Sequence, residues 1–141
     1  MPTHVLVVED NPVNQKVAVA MVQKTLGREH VIVDVANNGR EGLANSTEHG
    51  HKYDLILMDV QMPVMDGLEA TRRIREWEKS HAGEAPYFIV AVTAHASKMH
   101  VEECLEAGMN RHASKPLTLV SMRRVVEEYR DWRVKMFKSC K

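Results

Sequence analysis

Five polar residues each follow a short apolar run of the sequence and could together handle a phosphoryl group. Glu9 and Asp10 follow the first run, Asp59 the third, Thr93 the fourth and Lys115 a weaker fifth. If the runs are parallel strands, their carboxyl ends meet at one edge of a sheet, where ligands bind. Three neighbouring carboxylates repel one another without a cation, and oxygen ligands favour Mg²⁺. A carboxylate beside such an ion can accept a phosphoryl group, whose other oxygens an ammonium and a hydroxyl can hold.

Each of these side chains also has an ordinary structural explanation. An acid after a strand often caps the next helix, which would account for Asp10 alone, or for Asp66 further along the chain. A lysine before a proline, as at Lys115-Pro116, can simply lie at the surface. The complete set, in order along successive strand ends, is what favours a functional site.

Composition limits the classes of protein to which the chain can belong. Its 141 residues suffice for one domain, and 44% hydrophobic and 27% charged residues exclude disordered, collagen-like and membrane classes. Basic and acidic residues number 19 each, so neither a nucleic acid nor a membrane surface is predicted as the main partner. Cys104 and Cys140 form no CxxC pair and no signal peptide is recognisable, which predicts a cytosolic location.

Five short segments are predicted to be strands of a parallel sheet. Four are apolar runs, mostly rich in β-branched residues and too short for buried helices. Their apolar residues do not alternate with polar ones, which favours strands covered on both faces. Asp34 interrupts the second run and the fifth segment is weak, so both are predicted to be edge strands. The segments lie at 5–8, 31–36, 55–58, 88–92 and 111–114.

Helix signals alternate with these runs. Capping residues begin four helical segments, at Asn11, Asn38, Asp66 and Ser97, and a fifth segment extends over about 118–137. The alternation predicts right-handed crossovers and a single α/β domain with helices on both faces of the sheet. The predicted apolar stripes are Val13, Val17, Met21 and Val22 on the first helix, Leu68, Thr71, Ile74 and Trp77 on the third, Val101, Cys104 and Leu105 on the fourth, and Leu119, Met122, Val126, Tyr129 and Trp132 on the fifth.

Four motifs resemble the receiver domain of two-component response regulators. They are Glu9-Asp10, the specific segment LILMDVQMPVMDG at 55–67, Val92-Thr93-Ala94, and Lys115-Pro116. The resemblance implies a flavodoxin-like (βα)5 doubly wound parallel sheet with strand order 2-1-3-4-5. It also implies one receiver domain over 1–141, with a core at about 4–130 and a C-terminal helix extension.

The resemblance further implies a role for each residue of the site. Asp59 would accept the phosphoryl group and would ligate Mg²⁺ directly, together with Asp10. Gln61 would contribute its backbone carbonyl to the ion, and Glu9 would act mainly through a water molecule. Lys115 would pair with the phosphoryl group.

A conformational switch is implied as well. The Thr93 hydroxyl would move to a phosphoryl oxygen, the loop at 62–67 would close over the site, and the Lys115–Pro116 bond would be cis. The fourth helix, the fifth strand and the fifth helix would form the face that changes. In the family, chemistry of this kind is self-catalysed and involves no turnover of a diffusible substrate.

The segments 58–71 and 91–96 most resemble receivers that are fused to hybrid histidine kinases. The implied partner is a histidine-containing phosphotransfer protein or the kinase's own histidine domain, docked near Val13, Val17 and Pro116. The resemblance implies a monomer or a weak dimer.

One residue departs from the family pattern, and two others lie where the family tunes hydrolysis of the acyl phosphate. His112 stands three residues before the lysine, where the family usually has Phe or Tyr, and is interpreted either as a tolerated substitution or as a means of coupling the switch to pH. Gln61 and His95 lie two residues past Asp59 and Thr93, where side chains tune attack of water on the acyl phosphate. The histidine pairs 95/100 and 49/51 lack the spacing for zinc and are interpreted as surface residues.

Three other functions are weighed against this interpretation. A free-standing single-domain response regulator that shuttles phosphate would carry the same motifs. A Mg²⁺-dependent phosphatase with an aspartate nucleophile needs a second acid where this chain has Gln61. A flavodoxin-type cofactor binder needs a Ser/Thr/Gly-rich loop after the first strand, where Glu9 and Asp10 would repel phosphate.

Overall fold

Apolar runs and capped helices alternate along the chain and build a central parallel sheet. The computed structural model describes residues 2–48, 50, 52–81, 83–95 and 97–139, so His49, His51 and Cys140 lie outside the described residues. The strands of the described part are β1 (Thr3–Val8), β2 (Val31–Ala36), β3 (Leu55–Asp59), β4 (Phe88–Thr93) and β5 (Arg111–Ser114). They pair in parallel in the order β2-β1-β3-β4-β5. The predicted fold and both predicted edge strands are therefore confirmed.

Two helical layers cover the sheet. The helices of the described part are α1 (Pro12–Leu26), α2 (Gly39–Thr47), α3 (Gly67–Lys79), α4 (Lys98–Ala107) and α5 (Leu119–Ser139), with a 3₁₀ turn at Arg28–His30. One core cluster joins α1 and α5 to the side chains on one face of β1, β3 and β4, and a second joins α3 and α4 to the alternate side chains on the other face. Within the described residues, every helix is too short or too polar to span a membrane.

The predicted helix starts are confirmed by their capping hydrogen bonds. The side chain of Asn11 accepts from the N–H groups of Val13 and Asn14, with Pro12 in the first helical position. Asn38, Asp66 and Ser97 each accept from the N–H three residues on. The caps set where each helix leaves its strand, and with it the edge at which the polar residues gather.

Two members of the predicted apolar stripes point to solvent. Val13 is 68% exposed in the first turn of α1, where the inward positions further along belong to Ala18 and Val22. Leu105 is 51% exposed because the buried face of α4 passes through Cys104 and Ala107. Both predictions were wrong because spacing alone does not define a stripe. A residue at the edge of the buried face can lie three or four positions from a buried residue and still point to solvent.

A backbone strain lies in the loop between β3 and α3. Val64 adopts φ 72°, a left-handed conformation that is costly for a β-branched residue. Its side chain is 72% exposed, so little packing compensates. Replacing Val64 with Asn, which tolerates this conformation, is expected to raise the free energy of unfolding by about 1 kcal/mol. Urea denaturation measures the change, and Val120→Asn, at a valine 76% exposed in helical α5, should bring no gain.

Candidate phosphoacceptor site

The polar residues predicted from the strand ends lie together at the carboxyl edge of the sheet. Glu9 and Asp10 follow β1, Asp59 ends β3, Thr93 ends β4 and Lys115 follows β5. Since β1, β3 and β4 are neighbouring parallel strands, their ends deliver these side chains to one place.

An acidic cluster occupies the centre of this edge. One carboxylate oxygen from each of Glu9, Asp10 and Asp59 lies within 4.8 Å of the others. Glu9 and Asp59 are buried, whereas Asp10 is exposed. Within the described part of the chain, this is the one group of three such side chains with that geometry.

Lys115 supplies a single positive charge to the cluster. Its Nζ atom lies 3.2 Å from Oε2 of Glu9 and 3.0 Å from Oδ2 of Asp59. The bond from Lys115 to Pro116 is cis, as the family resemblance implies. One ammonium against three carboxylates leaves negative charge uncompensated.

The donor set fits a hard divalent cation. Oδ2 of Asp59 is buried, and no donor in the described residues meets hydrogen-bonding geometry at that atom, although Lys115 is near enough for an ion pair. A buried oxygen without a hydrogen bond is costly, and a cation among carboxylate oxygens would remove the cost. The donor set of Glu9, Asp10 and Asp59 therefore fits a divalent cation such as Mg²⁺.

The crowding of charge changes the pKa values of Glu9, Asp59 and Lys115. Burial, together with a hydrogen bond to Glu9, raises the pKa of Asp59 to about 7, against the opposing influence of Lys115. For Glu9, burial acts upward, but hydrogen bonds with Asp59 and Asn14 and the charge of Lys115 hold its pKa below the ordinary value. Burial would lower the pKa of Lys115, but both carboxylates outweigh it and raise that pKa. The metal-free site thus keeps a proton on Asp59 up to near-neutral pH.

Replacing Asp59 with Asn is expected to stabilise the metal-free protein above pH 7. The folded-state pKa of Asp59, about 7, exceeds its ordinary 3.8, so the folded chain binds the extra proton between these values and stability falls as pH rises through them. The neutral amide removes this loss, which we place at about 1–2 kcal/mol because the opposite shift of Glu9 offsets part of it. The gain in unfolding free energy should vanish near pH 4 and should be absent in the exposed-acid control Asp131→Asn.

A set of amide side chains after β1 supports Glu9. Asn14 donates to Oε1 of Glu9 at 3.0 Å, and the backbone N–H of Asn11 does so at 3.3 Å. Gln15 donates to the Glu9 carbonyl at 2.6 Å and to Asn37 at 2.8 Å. Sequence reasoning missed Asn14 and Gln15, although amides so soon after the acids were a usable signal.

The loop after β3 approaches the site closely. The backbone N–H of Gln61 donates to Oδ1 of Asp59 at 3.2 Å, while its side chain is exposed. A Cβ atom on Gly67 would lie 2.2 Å from the carbonyl oxygen of Asp59, so only glycine lets the start of α3 pack against the end of β3.

The switch candidate Thr93 is buried, with its hydroxyl bonded toward α4. Oγ1 accepts from the N–H of His95 at 3.0 Å and lies 3.0 Å from Nε2 of His100. His95 is exposed as predicted, whereas His100 is half-buried and its ring contacts Thr93. No family motif includes His100, and its spacing from Thr93 across a loop gave no signal.

The remaining predicted residues lie around the site. Val17 and Pro116 border a cavity of about 50 Å³ that Glu9, Asp59 and Lys115 also line. Val13 and Pro116 are exposed and Val17 is half-buried. His112 is half-buried on β5, and its backbone carbonyl accepts a hydrogen bond from Arg124 at 3.3 Å.

This chain combines a flavodoxin-like parallel sheet with an acidic pocket and a lysine at the carboxyl edge of the sheet. Comparison with known proteins shows the family to which such an α/β protein belongs. The model of the response regulator receiver domain matches residues 5–127. The chain therefore belongs to the response regulator receiver family.

The curated relatives are long kinases of which this chain matches one part. It is 42% identical over 120 residues to hybrid signal transduction histidine kinase I of Dictyostelium discoideum, covering 83% of this chain and 7% of that protein. It is 39% identical over 129 residues to the osmosensing histidine protein kinase SLN1 of Saccharomyces cerevisiae, covering 89% of this chain and 10% of that protein. The chain thus spans a tenth or less of these relatives' length.

Solved structures agree in fold and in sequence. A co-crystal structure of the S. cerevisiae phosphotransfer protein Ypd1 with the Ssk1 receiver domain matches with TM-score 0.80 and 34% identity, over 91% of this chain and 88% of that chain. A second match is the receiver domain of the sensor histidine kinase PA1611 from Pseudomonas aeruginosa, with magnesium in its active-site cleft. Its TM-score is 0.75 and its identity 36%, and the match covers 92% of this chain and 98% of that chain.

Proposed function

We propose that Asp59 accepts a phosphoryl group from a phosphohistidine and that this receiver changes its α4–β5–α5 face in response. The observation that carries the proposal is the convergence of Glu9, Asp10, Asp59 and Lys115 within a few ångströms at the carboxyl edge of the sheet. The receiver domain extends over 1–141, with its core at about 4–130 and the last part of α5 as an extension.

Mg²⁺ is the cofactor that the donor set favours. Asp10 and Asp59 would ligate it directly, Gln61 would contribute its backbone carbonyl, and Glu9 would act mainly through a water molecule. When bound, the ion neutralises charge on the phosphoryl oxygens and on the carboxylates. The supporting observations are three acids around a buried oxygen without a hydrogen bond, and magnesium in the cleft of the similar PA1611 receiver.

The transfer is a displacement at phosphorus. A carboxylate oxygen of Asp59 forms a bond to phosphorus, and the bond from phosphorus to the donor imidazole nitrogen breaks. The electron pair of the broken bond stays on that nitrogen, which leaves a neutral imidazole if the ring was protonated. Lys115, already 3.0 Å from Oδ2 of Asp59, is placed to pair with a phosphoryl oxygen.

Phosphorylation acts on the rest of the domain through Thr93. The added oxygens attract its hydroxyl, which shifts a pre-existing equilibrium between two conformations. The face that responds comprises α4, β5 and α5, and His112 on β5 belongs to it. No diffusible substrate is turned over by this domain alone.

The partner is a histidine-containing phosphotransfer protein or the histidine domain of a kinase. It docks beside the site, where Val13 and Pro116 are exposed and Val17 is half-buried. The similarity to hybrid histidine kinases and to the receiver in the Ypd1 complex supports a place in a hybrid-kinase phosphorelay. We propose a cytoplasmic location, which is the cytosolic side of the membrane if the parent is a membrane-anchored hybrid kinase. The domain acts as a monomer or weak dimer.

Incubation with Mg²⁺ and a small acyl or amido phosphate donor, followed by intact mass measurement, tests the proposal. We expect one added phosphoryl group per chain, lost in Asp59→Asn and absent with a chelator. Retained phosphorylation in Asp59→Asn would show that another residue is the acceptor.

A further inference from the structure

The hydroxyl of the buried Thr93 is held by a side chain of α4. Nε2 of His100 lies 3.0 Å from Oγ1 of Thr93. The backbone of His95 makes the other two contacts, its N–H donating to Oγ1 at 3.0 Å and its carbonyl lying 3.2 Å away as an acceptor. Every hydrogen bond described for this hydroxyl is thus to the segment that follows β4.

We propose that His100 is a positioning residue that holds the Thr93 hydroxyl away from the phosphoryl group until Asp59 is phosphorylated. This inference rests on the proposed function, in which the hydroxyl moves to a phosphoryl oxygen. The two contacts with His95 use backbone atoms and would persist with any side chain there. The contact with His100 depends on its imidazole, and it is the one that belongs to α4.

Release of His100 links the site to the responding face. The hydroxyl cannot point toward α4 and toward Asp59 at the same time, so its movement breaks the bond to Nε2. His100 lies in the first turn of α4, where its N–H donates to the capping Ser97 hydroxyl at 3.3 Å. Its side chain borders a groove of about 400 Å³ between α4 and the loop after β3, which gives the freed imidazole room to move.

Beryllofluoride binding in the presence of Mg²⁺ tests the inference, because this phosphoryl mimic needs the moved hydroxyl. In His100→Leu the bond is lost, and we expect beryllofluoride to bind about 3- to 10-fold more tightly than in the unaltered protein. His100→Gln carries an amide of similar reach and should restore the original affinity. Met99→Gln, at an adjacent side chain that is 73% exposed, is the matched control and should not change it.

Control measurements separate this inference from the proposed function and from simple misfolding. Failure of the unaltered protein to bind beryllofluoride would overturn both proposals. Unchanged or weaker binding in His100→Leu, with Mg²⁺ affinity and melting temperature preserved, would overturn the role of His100 alone. Should His100→Leu fail to fold, the imidazole ¹⁵N signals of His100 in the unaltered protein decide: a shift on beryllofluoride binding supports release, and unchanged signals refute it.

Discussion

Replacing Lys115 with Met is expected to lower the rate of Asp59 phosphorylation by about a hundredfold without weakening Mg²⁺ binding. The ammonium lies 3.2 Å from Glu9 and 3.0 Å from Asp59, where it can contact a phosphoryl oxygen. Loss of one preorganised donor removes stabilisation of the developing charge. The methionine side chain keeps most of the apolar stem, so the packing around it is preserved.

Although Lys115→Met should be phosphorylated more slowly, it should bind Mg²⁺ more tightly. Lys115 repels a second cation from the cluster, and without it the dissociation constant of Mg²⁺ should fall by about 3- to 10-fold. Phosphorylation by a small donor, followed by mass, and titration with Mg²⁺ measure the two effects on the same sample. Lys135→Met, at an exposed lysine of α5, is the control. Equal phosphorylation rates in Lys115→Met and the control would contradict the assigned role.

Replacing Arg75 with Met is expected to destabilise the fold by about 2–3 kcal/mol. The guanidinium donates to the carbonyls of Gly108 and Tyr87 at 2.8 and 2.9 Å and to Oδ1 of Asn110 at 2.8 Å. It also pairs with Glu78 at 2.8 Å, and the two side chains are only 21% and 13% exposed. Removal of the arginine would leave the largely buried carboxylate of Glu78 without its cation and would break the hydrogen bonds to Gly108, Tyr87 and Asn110.

Arg73 provides a matched control for this change. It belongs to the same helix and also pairs with an acid, Glu69, at 2.9 Å, but its side chain is 57% exposed. Exposed pairs contribute little, so Arg73→Met should leave the urea midpoint almost unchanged. Equal midpoints for the two variants would refute the idea that Arg75 holds α3 to the segment between α4 and β5.

The sequence allowed the fold to be predicted because each local signal agreed with the next. Asn11, Asp66 and Ser97 begin helices by capping, and the apolar runs between helices are too short for buried helices, which favours strands. Even the edge position of β2 was predicted from Asp34. The partners of the Asp34 side chain were not predicted. The Tyr53 hydroxyl donates to its carboxylate at 2.8 Å, and Nε2 of His4 lies 3.1 Å from the same carboxylate. Such contacts join residues far apart in the chain and have no local pattern.

The same distinction applies to the site. The acids and Lys115 could be predicted because they follow strands, and the carboxyl ends of parallel strands meet at one edge of the sheet. The contact between His100 and Thr93 depends on how the loop after β4 turns, which no spacing rule specifies. Arg75 resembled any charged residue of an amphipathic helix, and only the packing of α3 against the turn at Gly108 distinguishes it.

A crystal structure of the protein with Mg²⁺ and beryllofluoride would test the central claim most directly. We expect density for a fluoroberyllate joined to a carboxylate oxygen of Asp59, a cation contacting Asp10 and Asp59, and Lys115 beside a fluorine atom. Beryllofluoride bound elsewhere, or an empty pocket in which Glu9, Asp10 and Asp59 turn away from one another, would contradict the assignment of Asp59 as the phosphoacceptor.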